Sequence, residues 1–270
     1  MKELVSKIKM RLNILRVNTV NTFQGETAYF GNNWGNILST FLYTVVQILF
    51  VQVLYSQINT FAGYDKNQMY FLLFVSQLGF YTNWTWGEVN HRLLIEDVRR
   101  GILDFLLVLP VPSLWYVTFR KIPLLTIARD ALPNLVLLAW LINWAHLPLV
   151  VGNVVLAVLI FILGIIAWES FCFLLLLPVF WHGESKQIYS LCYVLRDNEN
   201  VPWEGYRPVF QFTFSVIVPT LFMAMIPVSV ALGKVDGWPM FSLAVAVATV
   251  FVILKKIFWK IALKNYTSAS

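Results

Sequence analysis

Apolar runs long enough to cross a lipid bilayer recur along this chain, and they limit its fold more than any other feature. About 20 apolar residues span the hydrocarbon core, where only a helix satisfies its own backbone hydrogen bonds. The chain is 59% apolar and only 13% charged, whereas a soluble domain carries about 25% charged residues. The sequence therefore predicts an all-α, polytopic membrane protein. The six expected spans cover residues 34–56, 68–87, 123–145, 150–180, 208–231 and 238–260.

The positions of Lys and Arg predict the orientation of these spans, because loops rich in basic residues stay in the cytoplasm. Of the 20 Lys and Arg residues, only Lys66 and Lys234 fall in the outer loops of this arrangement. The bias places both termini in the cytoplasm. It also explains the net charge of +6 without a nucleic-acid partner, since the cations lie at the ends of apolar runs.

The N-terminal segment, residues 1–30, is expected to lie on the membrane as a lead-in to the first span. Leu4, Ile8, Leu12 and Leu15 share one face of a helix, and basic and polar residues share the other. Such an amphipathic helix lies in the inner interface with its cations toward anionic headgroups. A solvated basic tail is the alternative.

Residues 93–121 are nearly as apolar as a span, yet we expect them to stay in the cytoplasm. The stretch RRGILDFLLVLPVPSLWYVTFRK (99–121) has basic residues at both ends. A crossing here would invert the chain and place the lysines of 255–264 outside, against the charge rule.

Two prolines divide this segment. Pro110 and Pro112 interrupt a continuous helix, because each lacks an N–H and clashes with the preceding turn. We expect one helix from about Leu93 to Leu109, a break, and a second helix leading into the third span. Its apolar face is too large for solvent, so it should bury against a protein partner or the membrane surface.

The same stretch follows the pattern Gly-x-Leu-Asp/Glu-x-Leu-Leu-x-x-Pro. The matching residues are Gly101, Leu103, Asp104, Leu106, Leu107 and Pro110. It resembles the cytoplasmic coupling segment of the type-2 ATP-binding-cassette (ABC-2) exporter permeases, in the subgroup of daunorubicin-exporter-like transporters. Leu109 departs from the pattern, where Arg or Thr is frequent.

Two further stretches are similar to this family. The C-terminal FWKIALKNYTSAS (258–270), which includes the expected cytoplasmic tail over 261–270, resembles the aromatic-rich ending of one subgroup. The run YRPVFQFTFSVIVPTLFMAMIP, with Pro208, Pro219 and Pro227, resembles a Pro-containing entry into a span. Arg207 separates Tyr206 from Pro208, where the subgroup often has Tyr-Pro.

The resemblance implies a single permease domain over residues 1–270, located in the bacterial cytoplasmic membrane. It also implies a second permease, identical or paralogous, and cytoplasmic ATPase subunits that bind ATP and Mg²⁺. The pattern residues, with Arg99 and Arg100, would form the site that couples the permease to the ATPase. A hydrophobic or amphiphilic cargo, such as a drug, lipid, natural product or peptide, would leave through the shared pathway.

This chain itself is expected to bind no cofactor or metal and to catalyse no reaction. No Gly-x-x-x-x-Gly-Lys-Ser/Thr phosphate loop is present. The only Gly-Lys pair, Gly233-Lys234, is followed by Val235. A membrane scaffold or lipid-modifying subunit without a pathway is one alternative to the permease, and an ion-coupled carrier that uses Glu169 is another.

Among the charged residues inside expected spans, Glu169 and Arg129 are possible pathway residues. Glu169 either lines the pathway or pairs with Arg129 across helices, since such residues usually face a bundle interior. Alternatively, Glu169 lies at the inner interface because the fourth span ends early. The expected cytoplasmic loop over 182–207 is either a second amphipathic segment or a plain surface loop.

Overall fold

The computed structural model describes residues 2–28, 34–183, 186–196 and 201–266. Parts of the expected lead-in, inner loop and tail, namely Met1 and residues 29–33, 184–185, 197–200 and 267–270, lie outside the described residues. Within the described ranges the chain is predominantly helical and has no β-strand.

Fifteen α-helices make up the described part of the chain. They are α1 Lys2–Ala28, α2 Trp34–Gln57, α3 Lys66–Thr82, α4 Val89–Arg100, α5 Leu103–Leu107, α6 Ser113–Phe119, α7 Leu124–Thr126, α8 Leu132–Leu141, α9 Val151–Leu176, α10 Val179–His182, α11 Lys186–Tyr189, α12 Leu191–Arg196, α13 Pro208–Phe212, α14 Met225–Ala231 and α15 Gly237–Asn265. Wider π-helical turns join several of them: Asn83–Glu88, Ile127–Ala131 and Thr213–Ile217. Tighter 3₁₀ turns cover Trp144–His146, Trp203–Gly205 and Leu221–Met223.

Four helical stretches of the described chain are long and apolar enough to cross a membrane. They are Trp34–Gln57, Ser113–Leu141, Val151–His182 and Gly237–Asn265. They lie over the first, third, fourth and sixth expected spans. The chain is thus an all-α, multi-pass membrane protein, in which the second and fifth expected spans lack a single long apolar helix.

One end of the helix bundle, which we call the far end, is held together by hydrogen bonds between turns. Asn67 Nδ2 donates to the Asn143 carbonyl at 2.9 Å, and the Asn143 N–H donates to Asn67 Oδ1 at 2.8 Å. Lys234 Nζ donates to the Gly63 carbonyl at 2.6 Å. The turns after α2, α8 and α14 therefore meet at this end.

The opposite end, which we call the hairpin end, carries both terminal helices. The Arg11 guanidinium of α1 lies 5.8 Å from the centroid of the Trp115 ring in α6. Tyr266, just after α15, packs edge-to-face on Phe180 with ring centroids 5.9 Å apart. The helices on either side of residues 101–112 also turn at this end.

Residues 208–231 fold back on themselves, so the expectation of a single fifth span there is wrong. Near the start of this segment, Gln211 Nε2 donates to the Trp203 carbonyl at 3.1 Å. Trp203 belongs to the turn Trp203–Gly205, which lies beside Ala62 at the far end. Near its end, Ser229 Oγ lies 2.9 Å from Tyr64 Oη at the far end. Pro219 contributes to the break, because it cannot continue a helical hydrogen-bond ladder. Pro227 lies in the first turn of α14, where a missing N–H is tolerated. We call 208–231 the folded-back segment.

The deep turn of the folded-back segment sits against two glycines. A Cβ atom on Gly164 of α9 would collide with the carbonyl group of Phe222. A Cβ atom on Gly79 of α3 would lie 3.0 Å from the Met223 carbonyl oxygen. Close backbone approach therefore requires glycine at both positions, and Phe222 and Met223 are fully buried.

The chain crosses the bundle earlier, between residues 189 and 205. Near the hairpin end, Tyr189 Oη lies 3.0 Å from His91 Nδ1. Further along, the Arg196 guanidinium lies 4.2 Å from the centroid of the Phe80 ring. A Cβ atom on Gly205 would then lie 3.5 Å from Ala62 at the far end. The described residues of 182–207 therefore extend from the hairpin end to the far end, whereas we expected a cytoplasmic loop there.

Candidate functional site

The segment between α4 and α6 forms a tight hairpin whose first bend depends on Gly101. Gly101 has φ 70°, in the left-handed region that glycine adopts without steric cost. The Ile102 N–H donates to the Asp97 carbonyl at 2.9 Å and closes the end of α4. The expected continuous helix from Leu93 to Leu109 is therefore broken at Gly101.

After this bend, residues 103–108 point two apolar side chains into the protein and three, including Leu107, away from it. Leu103 is 0% exposed and Leu106 packs on the same buried cluster. Phe105 is 73% exposed and Val108 is 80% exposed. We call residues 102–108 the apolar tip. Exposed apolar groups at the tip of a folded hairpin are typical of a surface that a partner covers.

The residues chosen from the sequence pattern divide between these two roles. Gly101 and Pro110 shape the hairpin, and Asp104 lies in the first turn of α5. Leu107 is exposed at the tip. The sequence pattern missed Phe105 and Val108, which are the most exposed apolar residues of the tip.

The two basic residues before the hairpin are exposed beside it. Arg99 and Arg100 end α4. The guanidinium of Arg100 forms an ion pair with Glu96 at 2.5 Å. Both arginines therefore provide positive charge next to the apolar tip.

Polar contacts join the two arms of the hairpin. Arg120 Nη1 lies 2.6 Å from Asp97 Oδ2, and both side chains are largely buried. Burial raises the pKa of Asp97, and the hydrogen bond and charge of Arg120 oppose that rise. Asn90 donates to the Lys121 carbonyl at 2.8 Å and accepts from the Lys121 N–H at 3.0 Å. The arms are thus fixed relative to each other above the tip.

Behind the hairpin lies a buried set of charged and titratable side chains, His91, Glu169 and Lys255, which we call the charge cluster. Lys255 Nζ donates to the two Glu169 oxygens at 2.7 and 2.8 Å. His91 Nε2 lies 3.2 Å from Glu169 Oε1, and His91 Nδ1 lies 3.0 Å from Tyr189 Oη. A buried charge is tolerated only when it is paired and hydrogen-bonded in this way.

The charge cluster links four helices. His91 belongs to α4, Glu169 to α9 and Lys255 to α15. Lys255 Nζ also donates to Thr118 Oγ1 in α6 at 3.0 Å. One turn further along α15, Trp259 Nε1 donates to Ser113 Oγ in α6 at 3.2 Å. The second arm of the hairpin is therefore attached to the last long helix.

Glu169 and Arg129 do not pair with each other, so that expectation is wrong. Arg129 instead forms a two-pronged ion pair with the adjacent Asp130, at 2.6 and 2.8 Å. Arg129 lines a cavity of about 650 Å³ between the start of α2 and α12. Glu169 and Lys255 line a separate cavity of about 390 Å³ beside α6. Whether either residue contacts a cargo stays a prediction.

Comparison with known proteins identifies the family. The sequence model of the family described as "ABC-2 family transporter protein" matches residues 41–270, well over half of the chain. No curated protein and no solved structure matches the chain. With its apolar membrane helices and a family match of this length, the chain belongs to the ABC-2 transporter family, as a membrane permease component of an ABC transporter.

Proposed function

We propose that this chain is the permease of an ATP-driven exporter in a bacterial cytoplasmic membrane. It forms the translocation pathway with a second permease, identical or paralogous, and separate cytoplasmic ATPase subunits bind ATP and Mg²⁺ and drive it. Both chain termini and the hairpin end then face the cytoplasm. The apolar tip, with Phe105 and Val108 exposed, is the observation that carries this proposal.

The chemistry of the tip suits a groove on a protein. Phe105 and Val108 supply a small apolar centre, and Arg99 and Arg100 supply a charged rim. Protein interfaces combine a buried apolar core with a polar rim, and the rim charges favour one orientation of the partner. The apolar tip is therefore the proposed docking surface for the ATPase.

The contacts behind the tip suit transmission of movement. Arg120 and Asp97 hold the two arms together, and Lys255 attaches the second arm to α15. Movement of the tip then carries α4, α6, α9 and α15 as one unit instead of bending the hairpin alone.

The charge cluster favours a structural role for Glu169, which holds the helices together behind the hairpin, over the role of an ion-binding residue in an ion-coupled carrier. Its carboxylate is bound by Lys255 and lies beside His91, so it is a paired charge inside the bundle. A carrier that used Glu169 would lose flux driven by a pH gradient in Glu169→Gln. We expect vesicles that contain the permease alone to show no such flux with either protein.

Co-purification tests the docking surface. The chain is expressed together with its neighbouring genes, and any ATPase subunit retained on the tagged permease is measured. We expect Phe105→Asp and Val108→Asp each to lower retention at least tenfold, while the permease yield and elution volume stay the same. Phe105→Leu keeps an apolar side chain and should retain the ATPase. Full retention with both aspartates would contradict the proposal.

A further inference from the structure

The cavity of about 390 Å³ beside α6 is open to the surface of the bundle. Its floor is formed by Glu169 and Ser170 of α9, which are buried, and Lys256 of α15 lies at its exposed edge. The other walls come from α6 and from the turn Asn83–Glu88 that precedes α4. The cavity therefore lies between the hairpin arms and two long membrane helices, α9 and α15.

The length of α15 sets the level of this cavity in the membrane. From Gly237, where α15 begins, to Lys256 the helix rises about 28 Å at 1.5 Å per residue. The hydrocarbon core of a bilayer is about 30 Å thick. When α15 crosses the membrane, Lys256 thus lies at the headgroup level of the leaflet nearer the hairpin end. Val252, which lines the cavity one turn earlier, lies in the hydrocarbon.

Three aromatic rings form one wall of the cavity. The rings of Trp86 and Phe119 are stacked with centroids 5.3 Å apart, and the Trp115 ring centroid lies 6.1 Å from that of Phe119. Trp86 Nε1 donates to the Thr118 carbonyl at 2.9 Å, so the polar group of this side chain is bound within the protein. Tryptophan is enriched at the level of lipid headgroups, where its large ring packs on the lipid. The wall therefore suits the glycerol region and the upper chain of a lipid.

Of the two lysines in the lining, one is fully engaged and the other is not. Lys255 Nζ donates to both Glu169 oxygens and to Thr118 Oγ1, which uses all three donors of an ammonium group. Lys256 is exposed, and no side chain of the described residues forms an ion pair or a hydrogen bond with its ammonium group. Since Glu169 and Lys255 balance each other, Lys256 gives the lining one unpaired positive charge.

The apolar part of the lining continues along the outside of the bundle toward the far end. Val252 of α15 and Ile166 of α9 line the cavity. Two turns earlier in the same helices lie Val245 and Leu159, both exposed. Residues two turns apart share one face of a helix, and both helices run from the far end to the hairpin end. A chain that leaves the cavity can therefore lie along this apolar surface within the hydrocarbon.

We propose that this cavity binds one anionic phospholipid from the leaflet nearer the hairpin end. The phosphate contacts Lys256, the glycerol region packs on Trp115, and one acyl chain lies over Val252 and Ile166. Basic pockets between membrane helices bind anionic headgroups in this way, and apolar walls with a few polar groups fix the orientation of a ligand. A zwitterionic lipid would bring its own cation beside Lys256, which disfavours it. This binding is independent of the transport function proposed above.

Two lipids that share their acyl chains test the charge preference. Dioleoyl phosphatidylglycerol and dioleoyl phosphatidylcholine are each titrated into the purified chain in an uncharged detergent, and bound lipid is measured by native mass spectrometry. We expect phosphatidylglycerol to bind about tenfold more tightly, as one charge-assisted contact would give. Equal affinity would overturn the proposal. Glycerol phosphate, which has no acyl chains, should not compete even in large excess, and competition would show a site for free phosphate instead of a lipid.

A pair of lysine variants locates the headgroup. Lys256→Gln should weaken phosphatidylglycerol binding about tenfold, to the level of phosphatidylcholine. Lys260→Gln is the matched control, because Lys260 is exposed one turn further along α15 and does not line the cavity. It should bind as the unaltered chain does. An equal loss in both variants would mean that lipids gather on a diffuse basic surface, and no loss in Lys256→Gln would mean that the headgroup lies elsewhere, so either result would overturn the proposal.

A second pair of variants locates the acyl chain. Val252→Trp fills the cavity and should weaken the binding of both lipids, since it removes the space that they share. Val250→Trp is the control, because Val250 is exposed on another side of α15 and does not line the cavity. Ile166→Trp fills the same space from α9 and is used if Val252→Trp fails to fold. A folded variant with either filling side chain that binds phosphatidylglycerol at the original affinity would overturn the proposal.

Discussion

The hairpin over 101–112 and the folded-back segment over 208–231 are two apolar, proline-containing segments of one bundle: the first turns at the hairpin end, and the second enters from the far end and turns deep between Gly79 and Gly164. In the hairpin, Phe105 and Val108 point away from the protein. In the folded-back segment, residues 220–231 are buried throughout. Two segments of similar composition thus differ in exposure. The folded-back turn is buried because it packs closely against glycines, whereas no other part of the described chain packs over Phe105 and Val108 at the hairpin tip.

The largest expected effect is on the charge cluster that supports the hairpin. Lys255→Met leaves Glu169 as an uncompensated buried charge, and breaking a buried pair costs about 3–5 kcal/mol. We expect the melting temperature in detergent to fall by several degrees or the protein to fail to fold. The double variant Lys255→Met with Glu169→Gln should regain much of the loss. A double variant as unstable as Lys255→Met would contradict the assignment.

A slightly smaller effect is expected at the folded-back turn. Gly164→Ala places a methyl group against the Phe222 carbonyl, and overpacking of this kind costs about 1–3 kcal/mol. Thermal unfolding in detergent measures the change. Gly152→Ala, in the same helix with open space around it, is the control and should unfold at or above the original temperature. Equal behaviour of both variants would show that the turn packs elsewhere.

The hairpin itself should show a contrast between neighbouring residues. Leu103 is 0% exposed, and Leu→Ala in a core costs about 2–5 kcal/mol, with the low end expected in a short helix near the surface. Leu103→Ala should therefore lower the melting temperature. It should reduce the amount of ATPase retained only because less folded permease is recovered, so the ATPase retained per folded permease should stay the same. A stable Leu103→Ala protein would show that α5 does not anchor the hairpin.

The smallest change in stability is expected at Phe105. Phe105 is 73% exposed, and substitutions at such positions usually change stability by less than about 0.5 kcal/mol. Phe105→Ala should thus keep its melting temperature while it lowers ATPase retention. Loss of stability together with retention would mean that Phe105 packs in the protein instead of against a partner.

The sequence predicted the hairpin but not which of its residues face outward. Pro110 and Pro112 predicted the break that separates α5 from α6. That 99–121 stays out of the membrane remains a prediction, since the apolar stretch Ser113–Leu141 begins within it. The sequence did not show which side chains of α5 point outward, because five residues cover less than two helical turns and show no clear hydrophobic period. Leu103 and Leu106, which the pattern favoured, therefore turned out to point inward.

The sequence also misplaced the fifth crossing, for a different physical reason. Residues 208–231 are predominantly apolar, and mean hydropathy does not distinguish a segment that crosses from one that enters and returns. Pro219, at the break before the deep turn, carried the missing signal. The partner of Glu169 could not be found locally either, because Lys255 lies 86 positions away along the chain.

The helix α15 has a mechanical consequence. It runs without interruption for 29 residues from Gly237 to Asn265, roughly 40 Å at 1.5 Å per residue. Lys255 and Trp259 attach it to the second arm of the hairpin, while Gly237 lies beside the turn that leaves the folded-back segment. Because α15 is one rigid helix, a tilt imposed at its hairpin end also displaces its far end. A rearrangement of the bundle at the far end therefore needs no separate hinge within α15.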